Sequence, residues 1–518
     1  MFSKTLLRGL FMCAIAALCS IPAMAQTFDQ NIGSRERPIG IRWWQRHLRD
    51  PSVEKFIARL EEDGIIVTKG DPIKFDPIGK FCDGNYPNAL YANYGAPYTA
   101  AALGPSPRAI GGLPEEVKEV ALELPIIRLA PDEAVVLVGM TPPPEAYFSY
   151  QIYLATRWYT NETEPGKNRI ELLLNSLGDT VNMQTIKTIG LKPFERPMVF
   201  IYTADRGIDA RVRAALRRAG YPAQIINTIV IPSATLKLGF ESDSDTFLIA
   251  NRNALWVDPL AGEAYVENPT YQVFRLTPEP EAVLNPFPAP PLRTRGTGQT
   301  EIDLTPALAR LRAAIIQQYA IFGCTAKEYV TKTVAYEGYD FTQRKVTTLG
   351  DTRDALYLGA GTLPEFDLDD EMMLTEGEFL IAYGLNHMAT GKATYVNLNA
   401  YTSGPSKMAL GSAFPDDLEG SAYQYLSWDD PDSELTYAYK ISRDCRIDEE
   451  TNEPFCLQLA VPVAGCTNKD GSEILTDTSP LGVIFRLYLE PPTSIGAACP
   501  EVVYDQVIKF TCAQGTGA

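Results

Sequence analysis

The chain has 518 residues, a formal net charge of −18 and 45% apolar side chains. That composition argues against a disordered chain, because enough apolar surface is present to build cores. It also argues against nucleic acid and anionic membrane surfaces as partners, since affinity for phosphates rests on Lys and Arg.

In chain order, the first residues carry Lys4 and Arg8, an apolar run from Leu10 to Leu18, and Ala23-Met24-Ala25 before Gln26. A basic start, a short apolar middle and small residues before the cut are the layout of a cleavable secretory signal over residues 1–25. The run falls short of the roughly 20 residues that a membrane-crossing helix needs, and no later run reaches that length. The expected location is therefore the periplasm or the extracellular space, with 44 basic against 64 acidic side chains after cleavage. Seven cysteines follow the signal, and in an oxidising compartment most should pair. Spacing suggests Cys445 with Cys456 and Cys499 with Cys512, and the odd count leaves one thiol over. Zinc is excluded by the absence of a CxxC pair and of any histidine near the cluster.

The N-terminal region, residues 26–275, reads as α/β. Pro51 suits a first helical turn after Asp50, and Phe56, Ile57 and Leu60 form one apolar stripe before Gly64. Ile65 to Val67 then read as a buried strand. Farther on, Met198 to Thr203 (MVFIYT) is a β-type run, followed by Asp205-Arg206-Gly207. Ile208, Val212, Ala215, Leu216 and Ala219 then recur at helical spacing before Gly220, and Thr228 to Ile231 return as a strand. Residues 276–303 pack prolines densely and then turn Gly-rich and Thr-rich, which fits an extended connector or a strap over a surface.

The C-terminal region, residues 304–518, opens with Thr305-Pro306 starting a helix that runs to Gly323. Strand-like runs follow: YLGAG, EFLIAYG, ATYVNLNAY, AYQYLSW, LTYAYKI, LQLAVPV and GVIFRLYL, with turn residues between them. The expected fold class is thus α+β (mixed α/β), with strand-loop-helix-strand units first and mainly antiparallel β later. Two segments read either as an internal duplication of a strand-turn-strand element or as ordinary strand-turn-strand segments that share composition. Glu133 to Gly139 leads through Pro142-Pro143-Pro144 into AYFSYQIYLA, as Glu378 to Gly384 leads through the His387 turn into ATYVNLNAYT. VFRLTPEP and IFRLYLEPP look like matching last strands.

The chemistry-bearing residues are few. Histidine is the usual general base or metal ligand, and this chain has two. His387 lies in a turn with Asn386, Thr390 and Lys392, so His387 reads as acid or base, with Asn386 and Lys392 assisting. A hydrogen-bonded structural histidine is the competing reading. On the following strand, alternation sends Tyr395, Asn397, Asn399 and Tyr401 to one face, a ladder suited to sugars or other polar ligands, or else a solvated sheet face. Asp205 and Arg206 sit where a strand passes into a helix, a common ligand position in α/β units, though Asp there is ordinarily a cap. Acidic clusters such as Asp367 to Glu371 lack EF-hand spacing and read as solvated turns, so no metal is assigned. Gly178-Asp179-Thr180 has Thr where a Gly-Asp-Ser esterase block has its nucleophile, and no Asp-x-x-His partner exists. Nucleophile-elbow, zinc-protease, P-loop and haem motifs are absent, and no cofactor is assigned.

Two functions follow from these residues. One is an exported hydrolase or lyase acting on a polar small molecule or glycan through His387. The other is a non-catalytic ligand-binding or cell-envelope protein presenting the Tyr-Asn face.

Overall fold

The computed structural model describes residues 51–121, 124–160, 168–334, 337–342, 346–427, 429–446 and 453–512. The signal segment expected at residues 1–25 lies outside them. Ten strands belong to the first half: β1 (Ile65–Phe75), β2 (Tyr98–Ala102), β3 (Ala134–Met140), β4 (Glu145–Thr160), β5 (Asn168–Ser176), β6 (Val181–Asn182), β7 (Pro197–Thr203), β8 (Ile226–Val230), β9 (Thr246–Trp256) and β10 (Tyr271–Pro278). They form a single sheet in the order β5-β4-β9-β2-β1-β10-β3-β7-β8, with β6 beside β4. Strand β1 serves two arms, because Ile65 to Gly70 pair with β10 and Asp71 to Phe75 pair with β2. The sheet curls around it.

The second half contributes β11 (Thr325–Tyr329), β12 (Lys332–Thr333), β13 (Ala355–Leu363), β14 (Leu368–Asp369), β15 (Glu378–Leu385), β16 (Tyr395–Thr402), β17 (Ala409–Ala413), β18 (Thr436–Ser442), β19 (Cys456–Gln458), β20 (Leu481–Tyr488) and β21 (Gln506–Thr511). These form two sheets, β11-β21-β15-β18-β19 and β12-β13-β20-β16-β17, with β14 beside β13. Among the described residues all pairings in the second half are antiparallel except β18 with β19, and in the first half all are antiparallel except β7 with β8. The fold is mixed α/β, with a curled N-terminal sheet and antiparallel C-terminal sheets.

Helices cover one arm of each half. The helix Pro51–Glu62 and the helix Arg206–Arg218 bury Phe56, Leu60, Val212 and Leu216 against Val136, Val199 and Ile201. In the second half the helix Thr305–Ala320 buries Leu311, Ile315 and Tyr319 against Phe379, Ile381 and Phe510. The remaining arms meet, and one core joins Leu248 and Tyr153 of the first half to Leu358, Leu398 and Val483 of the second. Between Pro278 and the 3-10 turn Ile302–Leu304 the proline-rich stretch links the halves without regular structure apart from one bridge, Asp205 to Pro286.

Two strand expectations fail. AYQYLSW is not a strand: Gly420, at φ 74°, turns the chain, and the amides of Tyr425 and Leu426 bond back to Ala422, giving a 3-10 turn at Ser421–Gln424. LQLAVPV is strand only through Gln458, and Pro462 stands where a ladder would need an N–H donor. The disulfides are Cys82–Cys466, Cys324–Cys512 and Cys445–Cys456, with Cys499 free. The Cys445–Cys456 expectation matches. Cys512 instead joins Cys324 because β21 lies beside β11, a pairing that spacing along the chain cannot reveal. Among the described residues no helix is long and apolar enough to cross a membrane, and three disulfides fit an oxidising environment.

Candidate functional site

Strand β15 ends at Leu385, and the turn that follows carries His387 into the protein, where it is 3% exposed. The ring is held from both sides: Nδ1 lies 2.8 Å from Glu301 Oε1, and Nε2 lies 3.2 Å from Asp505 Oδ2. Asp505 also accepts a 2.7 Å hydrogen bond from the Tyr437 hydroxyl. Gly384 makes this approach possible, since a Cβ there would lie 2.0 Å from Asp505 Oδ1. Burial opposes a charge on the ring, but Asp505 and Glu301 outweigh it and push the imidazole up to about 10. Glu301 is correspondingly held below its ordinary value: burial would raise it, and the contacts from His387, Thr390 and the Val503 amide prevail. At neutral pH the site is therefore an imidazolium between carboxylates.

Asn386 and Lys392 do not converge on the ring. The Asn386 side chain accepts from the Ala389 amide inside its own turn. Lys392 Nζ pairs with Glu490 (2.8 Å) and Glu501 (2.6 Å). Beside His387 lies a cavity of about 290 Å³ between the two C-terminal sheets, bordered by Met388, Val396, Leu398, Phe485 and Asp505. Asp205 is buried and fully engaged as a cap: Oδ1 accepts from the Ile208 amide at 3.0 Å, and Oδ2 accepts from the Asn285 amide of the proline-rich strap. Arg206 is bonded to the Asn285 side chain at the surface.

The Tyr-Asn ladder of β16 is buried. Asn397 donates to the Tyr395 hydroxyl (3.0 Å), Asn399 donates to Asn397 Oδ1 (3.0 Å), and the Tyr401 hydroxyl accepts from Arg486 Nη2 (2.8 Å). The ladder faces protein rather than solvent because its sheet packs on the β2-β9-β4 arm of the first half. The ring centroids of Tyr147 and Tyr488 lie 4.5 Å apart across that junction.

Between these arms is a second cavity, of about 90 Å³, which sequence reading missed. Arg252 of β9 and Arg486 of β20 both border it, with Gln151, Tyr98 and Tyr357. The Arg252 guanidinium sits 5.3 Å from the Tyr98 ring centre, and that of Arg486 sits 5.6 Å from the Tyr357 ring centre. Among the described residues neither arginine has a carboxylate partner. Nε of Arg252, Nε and Nη1 of Arg486, both amide atoms of Gln151 and the Tyr357 hydroxyl are buried without one. Asp351, the carboxylate on this wall, is occupied by Ser176, Thr348 and the Gly338 amide, and burial raises its pKa. A usable signal was present: FLIANRNALW and GVIFRLYL each place one arginine inside an apolar strand, where a charge must be buried.

No protein-family profile matches the chain, and no curated protein is similar to it. A crystal structure of an uncharacterised protein from Burkholderia cenocepacia covers 90% of this chain and 94% of its own, at 10% identity and a TM-score of 0.32. A likeness at that level transfers neither fold nor function.

Proposed function

We propose that this is an exported, non-catalytic binding protein that takes a small polar ligand in the cavity between the two halves. The observation that carries this reading is the set of buried, unpartnered polar atoms on Arg252, Arg486, Gln151 and Tyr357 around one cavity. Unsatisfied buried donors cost free energy, so their convergence favours a site completed by a ligand. The hydrolase or lyase reading through His387 is weaker, because a general base needs a free lone pair at working pH and this ring is protonated and bonded at both nitrogens.

We also infer that the two halves arose by duplication. The path β8-β7-β3-β10-β1 corresponds in order and direction to β19-β18-β15-β21-β11, and β1-β2-β9-β4-β5 to β12-β13-β20-β16-β17. In this correspondence the β3-turn-β4 and β15-turn-β16 segments match. VFRLTPEP and IFRLYLEPP do not, since β10 answers to β21 and β20 to β9. Export is supported by the disulfides and by the layout of the first 25 residues.

The test is a thermal-shift and hydrolysis screen of the full chain against sugars, amino acids, short carboxylates and nucleosides, run beside Ala250→Val, which narrows the cavity. At a hundredfold excess over Kd, a ligand should raise Tm by on the order of 3 °C in the parent protein and less in the variant. Turnover of any panel compound that disappears in His387→Ala would overturn the reading in favour of an enzyme.

A further inference from the structure

Resting on that binding reading, we propose that the ligand is a small monocarboxylate, gripped by two arginine-tyrosine clamps that occupy the same register position in the two halves. Arg252 of β9 pairs across to Tyr98 of β2 and Ser149 of β4. Arg486 of β20 pairs across to Tyr357 of β13 and Asn397 of β16. The flanking positions agree as well: Tyr147 and Tyr153 stand where Tyr395 and Tyr401 stand. Side-chain contacts repeat this register. Arg252 Nη2 reaches the Tyr153 hydroxyl at 3.3 Å as Arg486 Nη2 reaches that of Tyr401 at 2.8 Å. Tyr147 bonds Ser149 at 2.8 Å as Asn397 bonds Tyr395 at 3.0 Å. The two clamps face one cavity, and Arg252 crosses to the Tyr488 hydroxyl of the other half at 3.5 Å.

Charge and volume select the ligand. A buried guanidinium without an anion is costly, because its desolvation is not offset by an ion pair. Here two such groups border one hollow inside a protein of net charge −18. The tyrosine rings compensate them in part through cation-π contacts. Arg486 keeps Nε and Nη1 unpaired, donors on opposite edges of the guanidinium that each offer a carboxylate oxygen one charge-assisted hydrogen bond, and Tyr357 adds a hydroxyl. The rest of the lining is mixed: Leu90, Leu174, Leu248, Val334 and Ile484 give it an apolar part, which suits a hydrocarbon tail better than a bare oxyanion, beside Ser149, Thr348 and Asp351, whose carboxyl pKa is raised by burial and whose oxygens are already engaged. A hollow of about 90 Å³ is smaller than the roughly 150 Å³ cavity that accepts benzene. That favours a short aliphatic chain.

The experiment is calorimetric titration of the full chain with acetate, butyrate, octanoate, butyramide and inorganic phosphate, repeated on Arg486→Met and Tyr357→Phe. Butyrate should bind at least tenfold more tightly than butyramide or octanoate. Arg486→Met should lose tenfold or more of that affinity. Tyr357→Phe, which removes a single oxygen and preserves packing, should lose severalfold with its Tm kept, so the test stands even if Arg486→Met fails to fold. Equal binding of butyrate and butyramide, or phosphate binding without carboxylate binding, overturns the carboxylate assignment and leaves the binding reading intact. Silence in this titration alongside a neutral hit in the wider panel does the same, whereas silence in both sinks both.

Discussion

His387 illustrates how a single side chain is defined by what surrounds it. An imidazole between Glu301 and Asp505 is the cation of a buried charge cluster, and removing it leaves two carboxylates facing each other in a dry interior. His387→Ala should therefore lower stability at pH 7 by about 3–5 kcal/mol, read as a fall in the urea midpoint at unchanged slope. The pH dependence has a definite sign. With the folded imidazole at about 10 against an ordinary 6.5, its contribution is complete below about pH 6.5 and is lost as pH rises through about 10. The parent protein should lose stability between about pH 6.5 and 10, and His387→Gln should lack that component. Equal pH slopes in the two proteins would show that the ring is neutral in the folded state across that range. The scarcity of histidine made this residue visible in the sequence, but its chemistry was not. Glu301 lies 86 positions away and Asp505 lies 118.

At the scale of elements, the local signals were the reliable ones. The helix Arg206–Arg218 begins after Asp205 and ends before Gly220 as its spacing implies, because capping and apolar periodicity act within a few residues. What spacing could not supply was the second use of Asp205: its other oxygen anchors the proline-rich strap at Asn285. Asp205→Ala should therefore cost more than a surface cap, about 2 kcal/mol, and should expose the strap to limited proteolysis. Asp205→Asn keeps an acceptor for Ile208 and should recover much of the loss. If both variants match the parent in stability and cleavage, the strap is held by other contacts. The Tyr-Asn ladder was legible as an alternating face for the same local reason. Alternation names the two faces of a strand but not what covers each, and a packed sheet took the place of solvent.

For the molecule as a whole, the halves are joined by a shared core, by Asp354 accepting from Tyr147 (2.8 Å) and Thr180 (2.6 Å), and by the Cys82–Cys466 disulfide across 384 positions. Replacing both cysteines with serine should lower stability by about 2–5 kcal/mol, measured by chemical denaturation beside the same protein in reductant. A loss confined to the Cys324→Ser, Cys512→Ser pair, with none here, would mean that the halves hold together by packing alone. By itself, the sequence determined where helices cap and stop, which runs alternate, how few histidines are available and that cysteines would pair, since those depend on neighbours a few residues apart or on composition. Only the tertiary structure decided that Cys82 meets Cys466 and Cys324 meets Cys512, what surrounds His387, and that Arg252 and Arg486 face one hollow. Those facts depend on strand order and on the packing of one half against the other, which bring together residues hundreds of positions apart.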